Sequence, residues 1–188
     1  MMPTQHNESG FSLIETIVAM GVLATGLLGL AGIFTVGMAH MATSSANLVA
    51  REKAREAVES VHTARDTRTI GWCQIYNVSS TRSAECTAAA AGVFLDGPQD
   101  LKDPGVDGLV NTADDGAIEK QPGPDGKMGT SDDISMDNYK RTVVIANLTQ
   151  DDGTGVNQSL RRITVTITYS VGTVKRSYVL TTYISAVS

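Results

Sequence analysis

Between Phe11 and Met38 the chain runs for 28 residues with a single charge, Glu15, and no proline. A helix of that length, at ~1.5 Å per residue, outreaches the ~30 Å hydrocarbon layer of a bilayer. The whole chain has 188 residues, one ordinary domain, which cannot surround so long an apolar rod on every side. A buried core helix is therefore the poorer reading. A secretory signal peptide also fits badly, since it needs a basic leader, an apolar stretch of ~7–15 residues and a small-residue cleavage site after it. Met1–Gly10 contains no Lys or Arg, the apolar run is too long, and Gly37-Met38-Ala39 is a weak cleavage site. A membrane-spanning helix with one carboxylate near its start is what these features fit together.

The leader ends at Gly10, and Phe11-Ser12-Leu13-Ile14-Glu15 follows directly. This resembles the class III signal of type IV pilins and pseudopilins, G-F-[ST]-L-[IL]-E, which a prepilin peptidase cuts after the glycine. The stretch Ala24-Thr25-Gly26-Leu27-Leu28-Gly29-Leu30-Ala31-Gly32 is most similar to the PilV-like group of minor pilins. The resemblance implies that residues 1–10 are a leader peptide and that Phe11 becomes a methylated first residue. It also implies that Glu15 neutralises the α-amino group of a neighbouring subunit's Phe11. Physics asks for a partner independently, because a carboxylate within the membrane costs roughly 2.5–3.5 kcal/mol. A side chain that snorkels into interfacial water is the alternative. The chain departs from the family pattern in three ways. Glu8 and Ser9 stand where a base often precedes the glycine, and Gly32 stands where many major pilins have proline. Arg51, Lys53 and Arg55 follow the span, which by the positive-inside rule favours a cytoplasmic carboxyl-terminal part. The later segments favour the outside, and that orientation is expected.

Beyond the span (residues 11–38), residues 39–66 keep a helical period. Ala50, Ala54, Ala57, Val58, Val61 and Ala64 recur at spacings of three and four, with charges elsewhere around the cylinder, so a small-residue face suited to a sheet is expected. One helix can then run from membrane to head. Residues 67–138 read as a loop region. Cys73 and Cys86 are the only cysteines; in an exported chain they read as one disulfide, with two reduced thiols as the alternative. Residues 96–137 hold eleven acidic residues against three lysines, a net charge of −8 in a chain whose total is −5.

That acidic stretch contains a repeat. Pro104-Gly105-Val106-Asp107-Gly108-Leu109-Val110-Asn111-Thr112-Ala113-Asp114-Asp115 recurs as Pro122-Gly123-Pro124-Asp125-Gly126-Lys127-Met128-Gly129-Thr130-Ser131-Asp132-Asp133, with seven of twelve positions identical. Ca²⁺ takes six to eight hard oxygens, which aspartates and tight glycine turns supply. The pattern is similar to the Asp/Gly-rich calcium loops of extracellular proteins, although the EF-hand spacing is missing. Asp107, Asp114, Asp115, Asp125, Asp132 and Asp133 are thus candidate Ca²⁺ ligands. A solvated acidic loop is the bland alternative.

Residues 139–188 read as sheet. Tyr139–Ala146 is a candidate strand, and Arg162–Tyr169 alternates strictly, with Ile163, Val165, Ile167 and Tyr169 on one face. Val171-Gly172-Thr173 turns the chain into Val174–Ile184, where Tyr178, Leu180 and Ile184 share a face. The expected class is α+β, a pilin-like long helix on a three- or four-stranded antiparallel sheet.

No nucleophile elbow, phosphate-binding glycine motif or C-x-x-C is present, so catalysis is not expected. The acidic balance argues against nucleic acid as a partner. The sequence points to a structural subunit of a type IV pilus or pilus-like filament, as a minor pilin. Expected partners are other pilin subunits, the prepilin peptidase and an inner-membrane assembly platform. Expected localisation is the inner membrane by a single pass with the head in the periplasm, and then the filament. A type II secretion pseudopilin is one alternative, and a membrane-anchored calcium-binding or adhesive module is another.

Overall fold

A computed structural model describes residues 10–86, 91–150, 153 and 155–187; leader residues 1–9 lie outside the described residues. One helix, α1 (Leu13–Asp66), is followed by 3-10 turns at Trp72–Gln74 and Ala84–Cys86. The strands are β1 (Gln99–Asp100), β2 (Lys120–Gln121), β3 (Ile134–Ser135), β4 (Tyr139–Thr149), β5 (Val156–Val171) and β6 (Val174–Ser185). The chain divides into two compact units, one ending at Ser44 and one running Ser45–Ser188.

In the first unit α1 is long and apolar enough to cross a membrane, and none of its most apolar window is buried. Ile14, Ile17, Leu23, Leu28, Ile33 and Phe34 all stand exposed. The four threonines of α1 in this unit hide their polarity. Thr25, Thr35 and Thr43 donate their hydroxyls to Val22, Ala31 and Ala39 carbonyls at 2.8–2.9 Å, and Thr16 donates to Ser12 at 3.3 Å. A helix that satisfies both backbone and hydroxyls internally meets the condition that lipid imposes.

In the head, α1 buries Ala50, Ala54, Ala57, Val61 and Ala64. These side chains are small, so the helix axis lies close to the sheet residues Val143, Ile145, Ile163, Val165 and Ile167 that complete the core. A larger side chain at Ala57 would overpack this face, at a cost of about 1–3 kcal/mol. Val58, expected on the same face, is only half-buried.

The main sheet is antiparallel with order β1-β4-β5-β6. Strict alternation along β5 puts Ile163, Val165, Ile167 and Tyr169 inward, as the sequence pattern requires. The β5–β6 connection tightens to Gly172-Thr173, because Val171 pairs with Val174 as the last rung. Gly172 adopts φ +59°, a left-handed conformation that glycine accepts without a Cβ penalty. Two features go beyond the sequence reading. β5 begins six residues before Arg162, at Val156, across a register shift at Asn147/Leu148. The fourth strand, β1, comes from the loop region and pairs Gln99 with Arg141 and Asp100 with Lys140.

Cys73 and Cys86 form a disulfide with their Cα atoms 5.1 Å apart. Arg161, buried on β5, fastens this loop to the sheet. Its guanidinium lies 3.9 Å from the Trp72 ring centre and 3.7 Å from that of Tyr76, and it donates to the Ile75 carbonyl at 2.9 Å and to the Trp72 carbonyl. Burial lowers its pKa to about 10, still charged at neutral pH.

Candidate functional sites at the helix start and in the repeated loops

Gly10 and Phe11 precede the first helical residue and are exposed, Phe11 at 85%. The peptide bond between them therefore lies outside the helix and is exposed. Glu15 lies in the first turn of α1. The unpaired N–H groups there favour a carboxylate, so the local fold already tolerates it. Glu15 is the only acidic or basic residue on the unit's apolar surface from Phe11 to Met38.

The two repeats fold into loops with one hydrogen-bond scheme. Asp107 accepts from Leu109 N–H at 2.8 Å, and Asp125 accepts from Lys127 N–H at 2.8 Å. The N–H groups of Asp107 and Asp125 point to Asp114 and Asp132, at 3.4 and 3.2 Å. Asn111 and Gly129 N–H donate to Asp115 and Asp133, both at 2.8 Å. Thr112 and Thr130 hydroxyls donate to Asp114 and Asp132 at 2.8 and 2.6 Å. The shared residues are shared for a reason. A Cβ on Gly105 would stand 2.2 Å from an Asp114 carboxylate oxygen, and one on Gly123 would stand 2.2 Å from the Asp132 carbonyl. Asn111 and Gly129, at corresponding positions, both take positive φ, +68° and +85°.

The electrostatics follow from these bonds. Hydrogen bonds from Thr112 and Thr130, first among the causes, hold the Asp114 and Asp132 carboxyls below the usual range. Burial pushes the Asp107 carboxyl up, and the Asp114 and Asp115 charges add to that. As a metal site, the loops offer oxygen donors of the kind Ca²⁺ prefers. The six candidate aspartates do not gather at one point, however. Among the described residues no three His, Cys, Asp or Glu side chains form a group that could hold a metal ion.

Sequence reasoning missed a buried charge cluster beneath the first loop. Glu119 is 5% exposed and forms an ion pair with Lys53 of α1, which also pairs with Glu56 at 2.6 Å. Arg141 is fully buried, with its Nη1 4.0 Å from Glu119 Oε1 and no hydrogen-bond partner for its guanidinium among the described residues. Burial raises the Glu119 carboxyl despite the Lys53 bond, while bonds to Glu119 and Glu56 raise Lys53 against its own burial. Burial lowers Arg141, with Glu119 opposing. The signal was available as alternation. Tyr139, Arg141, Val143 and Ile145 share the inward face, and so do Arg161 and Ile163.

Residues 5–31 match a family model described as the prokaryotic N-terminal methylation motif. No curated protein and no solved structure matches the chain. The chain carries the signal of type IV pilins and pseudopilins, and its long helix on a four-stranded antiparallel sheet is a pilin-like α+β architecture.

Proposed function

We propose that this chain is a structural subunit of a type IV pilus or pilus-like filament. It is cut after Gly10 by a prepilin peptidase and assembles through α1 from an inner-membrane platform. The observation that carries the reading is the first unit of the helix: an exposed apolar cylinder with one carboxylate, placed four residues after the new amino terminus. A second subunit's Phe11 amine is the group that would neutralise Glu15. The outward orientation leaves basic residues after the span to be accommodated in the head. Lys53 is ion-paired there and Arg51 lies 5.6 Å over the Tyr178 ring, so two of the three basic residues after the span are engaged. The secretion pseudopilin is the second reading, and the signal is common to both.

Amino-terminal sequencing of the mature chain tests this. Phe11, N-methylated, is the expected first residue, and Gly10→Ala should leave an uncut precursor. Glu15→Ala should still be cut but should enter filaments poorly. A mature start at Met1 or beyond Ala39 overturns the reading.

Calcium uptake by the first repeat loop is part of the same proposal. Its support is the oxygen donor set of the repeat, together with the Asp114 and Asp115 charges, which add to burial in raising the Asp107 carboxyl and which a cation would offset. Binding would require the aspartates to exchange bonds from Thr112 for the ion. At ~10 mM Ca²⁺ a site in the extracellular affinity range stabilises by about 1–3 kcal/mol. The full chain in detergent should therefore melt higher with Ca²⁺ and lower with chelator. An indifferent melt with no calorimetric binding removes calcium from the proposal.

A further inference from the structure

The charges of the head are sorted by segment. From Tyr139 to Ser188 there are six Lys or Arg and two acids, while residues 96–137 carry net −8. The basic part presents a groove at the β5–β6 hairpin, lined by Asn138, Lys140, Thr168, Ser170, Lys175 and Arg176. Lys140 is already ion-paired with Asp100. Lys175 and Arg176 are exposed and, among the described residues, have no ion-pair partner. They sit on β6, the edge of the sheet, whose outer backbone groups face no further strand among the described residues. Bare edges of this kind invite a second chain.

The acidic part presents the second repeat, Pro122–Asp133, between β2 and β3. It stands on the surface, with Met128 59% exposed and Asp125 and Asp132 exposed beside it. Within one copy the loop and the groove are not joined. The Asp125, Asp132 and Asp133 carboxylates bond only inside their own loop, with no ion pair among the described residues. Their roots also differ in level along α1. The groove is tied to Ala46 and Asn47 through Tyr139 and Tyr169, whereas Glu119, which leads into β2, is tied to Lys53. Six helical residues separate Asn47 from Lys53, or about 9 Å. Two complementary patches at different levels make a head-to-tail contact, and such a contact propagates along an open helical array.

We propose that the second repeat loop of one copy seats in the basic groove of the next copy. Asp125, Asp132 and Asp133 face Lys175 and Arg176, and Met128 covers the β6 edge. The contact rests on the filament reading and gives the heads their own register, separate from the packing of the helices.

The test uses the full chain in its cell envelope with a photo-crosslinking residue at position 128. Sheared filaments are scored in parallel. The expected product is an adduct between two copies whose crosslinked peptide maps to Val174–Tyr178. Its yield should fall about tenfold in K175E/R176E, as for the loss of two or three rim ion pairs, and should stay unchanged in Arg68→Glu. Adding Asp125→Lys to K175E/R176E should restore part of the yield. Filaments without the adduct, an adduct within one chain or to a different protein, or full yield in K175E/R176E overturn the contact while leaving the filament reading intact. Absence of filaments from the unaltered chain overturns the filament reading and the contact with it.

Discussion

The two repeats share seven residues and one hydrogen-bond scheme, yet they live in different surroundings. In the first, Leu109, Val110, Asn111 and Thr112 are buried in the head, and the Asn111 side chain donates to the Leu95 carbonyl at 3.0 Å. In the second, Lys127, Met128 and Gly129 are exposed at the corresponding positions. The shared residues specify the turn, and the residues between them decide whether the turn is built into the core or presented to solvent. The first loop thus helps to hold the head together, and the second is presented to solvent.

The sharpest way to break this comparison is to truncate the apolar residue. Leu109→Ala should cost about 2–5 kcal/mol as a core cavity, whereas Lys127→Ala should stay within about 0.5 kcal/mol. Denaturant unfolding of the full chain in detergent reads both. Equal effects would show that the second loop is also anchored.

A smaller gap is expected at the glycines. Gly105→Ala and Gly123→Ala place a Cβ against Asp114 and Asp132 at the same 2.2 Å. In the first loop the shift must pass to Leu109 and Val110, at about 1–3 kcal/mol. The second loop can move into solvent, so its variant should melt close to the parent. A parent-like melt for Gly105→Ala would mean that the first loop yields as easily as the second.

The smallest effect is on acid titration, and here the loops should behave alike. Folded-state values for Asp114 and Asp132 are depressed, first by the threonine hydroxyls. Their contribution is complete above the unfolded carboxylate range and is lost as pH falls through the lowered values, at and below about pH 4. Carboxyl NMR titration should show both values rising in Thr112→Val and Thr130→Val. No movement in either variant would assign the depression to another cause.

Some of this molecule was legible as pattern. The apolar run after Gly10, the small-residue face from Ala50 to Ala64 and the alternation from Ile163 to Tyr169 each repeat with the period of one local structure. Such periods survive in a single sequence because neighbours in the chain are neighbours in space. The repeat was equally visible, since identical turns need identical glycines and aspartates. Tertiary structure alone decided the rest. It drew Gln99–Asp100 onto the edge of β4, moved the start of β5 to Val156 and buried Arg161 between Trp72 and Tyr76. It also brought Lys53, Glu119 and Arg141 together from three distant segments. Those placements depend on which surfaces meet after the elements have formed: alternation puts Arg141 and Arg161 on the inward face, but it does not say which groups from distant segments meet them there.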